Sequence, residues 1–337
     1  MGRSLILAGD IGGTKANFGL FHPDRGVLKP LVQRTFHTKD YPSLEKMVEV
    51  FLSDKKEAIS SASFGIAATI VDGHSDSPNI PWSVNLADLR RQLNIPQVAL
   101  INDLQAMALG LAALPKESFV LVKEGAADPH GCRGVIAAGT GLGEAALMWT
   151  PAGYRVLLSE GGHGDFAPRS ELEIDLLRYL LRKFNRASYE RVLSGPGLVN
   201  IYHFLKEYRN AEEPAWLVEA FAGREAGEVI TDMALSEGDA LCVEAVDLFI
   251  SIYGAEAGNL ALNFLATGGI YLGGGIAPKI LPRLKTGAFA KAFTNKGRLS
   301  RVLAQIPVRV IMDTRAPLFG AAQNALTMNH TNGGDAS

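Results

Sequence analysis

The chain has 337 residues, 47% of them hydrophobic and 20% charged, with a formal net charge of −2. This suits a globular protein with room for two domains, and the near-neutral balance excludes a global field that would attract nucleic acid or an anionic membrane. Cys132 and Cys242 lie far apart and form neither a metal-spaced pair nor a disulfide framework, so a reducing cytoplasm is expected. No signal-peptide pattern is legible. The most apolar long stretch, 241–273, is broken by Glu244, Asp247, Glu256 and Asn259, which predicts a buried helix and strand, not a membrane span.

In chain order, "LILAGDIGGTKANFGLF" (5–21) holds two short apolar strands around Asp10, with Gly9, Gly12 and Gly13 at the turn. A third strand is expected near Gln33–Phe36. A helix follows, N-capped by Ser43, because Leu44, Met47, Val48, Phe51 and Leu52 repeat at helical spacing. "ASFGIAATIV" (62–71) reads as a buried parallel strand. Next come a short helix around Leu86, Leu89 and Leu93, the strand "VALIN" (98–102), and a helix from Asp103 to about Ala113. The order is β-β-β-α-β-α-β-α.

The second half repeats that order. "GVIAAG", "GEAALMW" and "YRVLLS" are three strands, followed by a helical insertion. Ser170 and Glu173 suggest a capping box, and Ile174, Leu177, Leu181 and Phe184 an inner stripe. Helices continue to about Phe264; then come the strand "GIYLGGG", a helix, the strand "VRVIM" and a last helix from about Ala316, with a polar tail, 329–337, expected to fray. The loops echo each other: "AGDIGGTKANFGL" against "AGTGLGEAALM". A period of half the chain implies two homologous domains. The expected division is 1–113 plus a C-terminal helix at about 304–330 as a small α/β domain, and 114–303 as a larger one.

Each glycine-rich loop presents backbone N–H groups unencumbered by side chains, a nest for phosphate. Thr14 and Thr140 add hydroxyl donors and Lys15 a cation. Asp10 would repel phosphate unless a divalent cation lay between them, so Mg²⁺ is expected, which prefers carboxylate, water and phosphate oxygens. The P-loop and dinucleotide fingerprints both fail on spacing. A third cluster, "GGGIAP" (273–278), ends a strand and precedes a helix, either approaching a nucleotide's ribose or base or simply making a tight turn. Asp103, after the strand "VALIN", reads as an N-cap or as an acid aimed at a ligand.

Together these segments resemble the bacterial glucokinase family, outside its ROK relatives and within the actin–hexokinase–Hsp70-like ATPase superfamily. "GDIGGT", "GTGLG", "LINDLQAMALG", "EGGHGDFAP", "ERVLSGPGLVN" and "GGGIAP" carry the likeness over nearly the whole chain. The resemblance implies an α/β fold of two lobes, each a ribonuclease-H-like βββαβαβα unit, with a cleft between them. It implies ATP-dependent phosphorylation of glucose to glucose 6-phosphate. Asp103 takes the place of the general base; sugar contacts fall on Asn102, Asp103, Glu160, His163 and Glu190. Nucleotide contacts fall on Gly9, Asp10, Ile11, Gly12, Gly13, Thr14, Gly139, Thr140, Gly141, Gly274 and Gly275, with Mg²⁺ reached from Asp10 through water. ROK kinases pair a similar histidine with zinc-binding cysteines; this chain has no such cluster, so a metal role for His163 is not expected. A homodimer is implied. Between Gly65 and Trp82, Thr69 and Pro78 break the family pattern while Asn79 and Trp82 keep it, which bears on sugar preference. The competing reading from another class is a sugar-binding regulator. The phosphate loop begins within ten residues of Met1, so no DNA-binding module is expected before it, and the retained Asp103 argues against a sensor that has lost catalysis.

Overall fold

A computed structural model describes residues 5–24, 27–55, 57–77, 79–151 and 153–331. Pro78 and residues 332–337 of the polar tail lie outside the described residues. The chain divides into two compact units: 1–116 with 313–337, and 117–312.

The first unit contains β1 (Leu5–Ile11), β2 (Lys15–Asp24), β3 (Val27–His37), α1 (Leu44–Leu52), β4 (Ile59–Ile66), β5 (Thr69–Val71), β6 (His74–Asp76), β7 (Val84–Asn85), α2 (Leu86–Leu93), β8 (Gln97–Asn102) and α3 (Asp103–Ala113). Its main sheet runs β3-β2-β1-β4-β8, with β1 antiparallel to β2 and parallel to β4. Leu5 to Ala8 are all buried, as a central strand covered on both faces requires. One face packs on Leu44, Met47, Val48, Phe51 and Leu89 of α1 and α2. The other carries α3 and the C-terminal helix, Ala316–Thr331. Those two helices approach backbone to backbone: a Cβ at Gly110 would collide with the Ala316 carbonyl, and one at Gly320 with that of Ala106.

The second unit contains β9 (Phe119–Lys123), β10 (Arg133–Ala138), β11 (Leu142–Thr150), β12 (Gly153–Ser159), α4 (Glu171–Phe184), α5 (Gly195–Arg209), α6 (Ala215–Gly223), α7 (Ala226–Leu235), α8 (Ala240–Asn263), β13 (Gly269–Gly273), α9 (Ile276–Lys279), α10 (Leu281–Leu284), α11 (Ala288–Thr294), α12 (Ser300–Gln305) and β14 (Val308–Ile311). Its sheet, β12-β11-β10-β13-β14-β9, repeats the strand order of the first unit and adds β9 at one edge. The duplicated α/β architecture read from the sequence is therefore present, each unit with its own apolar core. Among the described residues, no helix is long and apolar enough to cross a membrane; α8 is a buried core helix.

Several details differ from the sequence reading. The strand at 62–71 ends at Ile66, where Ala68 N–H turns back to the Ile66 carbonyl at 2.8 Å. Thr69–Val71 joins a separate antiparallel sheet, β5-β6-β7. β9 escapes a periodicity search because four of its five residues are only half-buried. The stripe of α4 lies on Leu176 and Leu180, flanked by partly buried Leu177 and Phe184, while Leu181 faces solvent. Its apolar residues cover more than one face, so spacing alone offers two stripes. Ser170 does cap Glu173 N–H, but the Glu173 carboxylate accepts from Arg169 N–H and not from the cap's own. The return to the first unit comes at Asp313 rather than near 304, since β14 pairs with β13 and β9.

Candidate active site

In the first unit, parallel β1, β4 and β8 end at one edge of the sheet. Their register sets Asp10 beside Gly65, and Ile66 beside Asn102. Asp10 also faces Asn17 across the β1-β2 pair, and Asn17 Nδ2 donates to Asp10 Oδ2 at 3.2 Å. Thr35 Oγ1 in turn donates to Asn17 Oδ1 at 2.8 Å, so a short relay orients the acid. The Asp10 carboxyl is pushed up to about 6. Burial is the main cause; the Asn17 hydrogen bond opposes it, and the negative charge of Asp103 adds to it.

The turn after β1 closes through Gly12 N–H to the Lys15 carbonyl at 2.9 Å. Buried Thr38 holds it from outside: its hydroxyl donates to the Gly12 carbonyl at 2.7 Å, and its N–H to that of Thr14 at 3.0 Å. A Cβ at Gly13 would stand 2.5 Å from the Asn79 carbonyl oxygen, so the retained Asn79 packs directly on this loop. Gly12 thus uses its N–H in the turn, which leaves Gly13 and Thr14 as the amides available to an anion.

Asn102 caps α3. Its Oδ1 accepts from Leu104 N–H at 2.9 Å and Gln105 N–H at 3.4 Å, and its Nδ2 donates to the Ala68 carbonyl at 3.1 Å. The capping role considered for Asp103 therefore belongs to its neighbour. Asp103 Oδ1 accepts from Leu104 N–H at 2.8 Å. Gly65 brings the two acids together: it pairs with Asp10 in the sheet, and a Cβ on it would lie 4.0 Å from Asp103 Cα, so Asp10 and Asp103 are neighbours of like charge.

The second unit gathers the remaining residues in the same way. Gly139 N–H closes the turn onto the Gly141 carbonyl at 2.9 Å, and the Gly139 carbonyl accepts from Gly195 N–H at 2.8 Å. A Cβ at Gly139 or Gly275 would meet open space. Gly274 has a φ of +79°, and a Cβ there would strike the Ala138 carbonyl, so the third glycine cluster rests on the strand end that carries the second.

Glu190 sits in a 3₁₀ turn, Tyr189–Arg191, that starts after Ser188; the next helix begins at Gly195, capped by Ser194. Glu190 Oε2 accepts from Leu142 N–H at 3.1 Å, and a Cβ at Gly141 would stand 2.5 Å from that oxygen. Glu160 and His163 bracket the 3₁₀ turn Gly161–His163. That turn joins the Glu190 turn: Tyr189 N–H donates to the Gly164 carbonyl at 2.9 Å, and Arg186 to that of His163. Glu160, His163, Glu190 and the loop 139–141 therefore form one cluster.

Sequence reasoning missed Asn17, Thr35 and Thr38. The available signal was a polar residue inside an apolar strand, directly opposite Asp10. For a divalent cation, the chemistry of Asp10 fits: a half-buried carboxylate beside a second acid gains from a nearby positive charge. Among the described residues no three His, Cys, Asp or Glu side chains are placed to hold a metal ion, so its other ligands would be water and phosphate oxygens.

The chain as a whole is similar to known proteins of one kind. The glucokinase family model matches residues 7–328. A glucokinase of Nostoc punctiforme is 42% identical over 334 residues, covering 95% of this chain and 98% of the relative. Among solved structures, a glucokinase from an Antarctic psychrotroph superposes with a TM-score of 0.85 at 30% identity, covering 96% of this chain and 99% of that one. A Balamuthia mandrillaris glucokinase in complex with glucose gives 0.78 at 21% identity, over 96% and 94%. With a family model spanning nearly its full length and a relative at 42% identity, the chain belongs to the glucokinase family.

Proposed function

We propose that the protein transfers the γ-phosphoryl group of ATP to the 6-hydroxyl of glucose, with Asp103 as the general base. The observation that carries this reading is the pair of acids at one strand edge, Asp10 and Asp103, beside a glycine turn braced by Thr38. One acid serves the phosphate side and the other the acceptor oxygen.

Phosphoryl transfer needs position and charge more than covalent help. The amides of Gly13, Thr14, Thr140 and Gly141 donate to the terminal phosphates. Gly274 and Gly275 leave room for the adenosine. Asp10 holds Mg²⁺ through water, and that ion supplies charge neutralisation on the phosphate oxygens. Glu160, His163 and Glu190 bind sugar hydroxyls, for which carboxylates accept hydrogen bonds in pairs. Asn102, already committed to the helix cap, contributes a remaining amide hydrogen.

Asp103 accepts a hydrogen bond from the 6-hydroxyl and orients it. A carboxylate is too weak a base to deprotonate an alcohol in the ground state, so the proton moves late, as charge builds on the transferring group. The protein then returns that proton to solvent. Glucose is favoured over other hexoses by the family, and Thr69 is the described departure on the sugar side. A homodimer and a cytoplasmic location follow from the resemblance; sedimentation of the purified chain tests the former.

The deciding experiment follows ADP release from Mg-ATP with glucose, mannose, fructose and N-acetyl hexosamines. Turnover highest with glucose supports the assignment. Preference for another hexose would move the acceptor while keeping the mechanism, and sugar binding without turnover would leave a sensor.

A further inference from the structure

Behind the sugar-side cluster lies a pair of acids that the reaction above does not use. Glu144 on β11 is 3% exposed and Glu256 on α8 is 5% exposed, and the two carboxyls are close enough to act on each other's charge. Two carboxylates are acceptors only, so a hydrogen bond between them requires a proton on one. Among the described residues neither makes a salt bridge, and the cation in electrostatic reach of Glu256 is Lys296. Lys296 directs its ammonium to Asn259 Oδ1 and the Ala255 carbonyl, and Arg169 is engaged by Glu173 and Ser251. Tyr253 donates its hydroxyl to the Ile136 carbonyl. Asn259 Nδ2 donates to Glu256 Oε2 at 2.7 Å, and Glu144 Oε1 has no hydrogen-bond partner among the described residues.

Both acids bear on the sugar-side turns. A Cβ at Gly161 would collide with Glu144 Oε2, so the backbone between Glu160 and His163 rests directly on this carboxyl. Glu256 bears on Tyr189, the residue before Glu190, through Asn259, whose Nδ2 donates to Glu256 Oε2 at 2.7 Å and to the Tyr189 hydroxyl at 3.2 Å.

We propose that Glu144 and Glu256 share one proton, and that this shared proton is what holds the 160–163 and 189–191 turns in their sugar-binding positions. The proposal rests on the glucose reading above and makes Glu144 a positioning residue, with no contact to substrate. Removing the proton leaves two like charges side by side in a buried site, where the turn lying on Glu144 yields to their repulsion. Burial, and then the charge of Glu256, push the Glu144 carboxyl up to about 8. The device is therefore intact at neutral pH and fails on the alkaline side.

The test is the pH dependence of KM for glucose and for ATP, in the wild type, Glu144→Gln and Glu144→Ala. A group of that pKa, needed in its protonated form, raises the wild-type glucose KM about tenfold between pH 7 and pH 9. The ATP KM stays level. In Glu144→Gln the amide supplies the hydrogen permanently, so the ratio of the two glucose KM values falls to about one. Glu144→Ala, which cannot, binds glucose poorly at both pH values. A level wild-type glucose KM, or a Glu144→Gln enzyme that keeps the wild-type rise, overturns the proposal. Should Glu144→Gln not fold, Glu256→Gln is read by the same ratio. Wild-type infrared spectra give a second reading: the protonated-carboxyl band must be present at pH 7 and lost by pH 9, and its absence at pH 7 also overturns the proposal. A protein without glucose turnover at pH 7 refutes the underlying glucose reading; turnover with a pH-independent glucose KM refutes this proposal alone.

Discussion

Asp10→Asn is expected to make the ligand-free protein more stable and the enzyme inactive. The Asp10 carboxyl is pushed from 3.8 in an unfolded chain to about 6, chiefly by burial. A carboxyl raised in this way contributes its stability fully below the unfolded pKa and loses it as pH rises through the folded value. At about 1.36 kcal/mol per pKa unit, holding Asp10 ionised at pH 7 costs about 3 kcal/mol. An amide of the same shape removes that cost, but its two donors need partners, which returns about 1 kcal/mol. The net gain is about 2 kcal/mol at pH 7. Urea unfolding without nucleotide or magnesium, wild type against variant, measures it. The stability gap between the two should shrink by about 1 kcal/mol on moving to pH 5, because protonation already relieves the wild type there. A variant no more stable than wild type at pH 7, or a gap that ignores pH, would refute the reasoning. Retained turnover would refute the assignment of Asp10 to the metal.

Further predictions concern single residues. Asp103→Asn should lower kcat by about 10²–10⁴-fold with a much smaller change in glucose affinity, since a general base acts in the transition state; kinetics paired with equilibrium glucose binding check this. Gly139→Ala should unfold within about 0.5 kcal/mol of wild type, because its Cβ meets only open space, yet raise the ATP KM by filling the room kept for phosphate. Gly141→Ala should raise the glucose KM more than the ATP KM, because its Cβ would displace the Glu190 carboxylate 2.5 Å away. Equal effects on both constants would place Glu190 outside the sugar site.

The duplicated order of strands was legible because it rests on short apolar runs bounded by glycine, and these survive in any tertiary context. Ser43 as a cap was legible for the same local reason. What failed depended on distant partners. β9 exists because β14 offers an open edge, and nothing in "FVLVK" announces that. The capping role passed from Asp103 to Asn102 because either side chain can cap and only the backbone at the strand end chooses. Glu190 is identified through its family motif, while its contact with Leu142 crosses 48 residues and is invisible in sequence. Thr38 and Asn17 matter through hydrogen bonds to the Asp10 turn, and single polar residues in strands are too common to single out.

The most direct test of the account is the product formed from Mg-ATP and glucose by the wild type and by Asp103→Asn, with the phosphorylated position identified by ³¹P and ¹H NMR. The account predicts glucose 6-phosphate from the wild type and a near-complete loss of product from a variant that still binds glucose. Phosphate on another hydroxyl, or a variant that turns over as the wild type does, would contradict it.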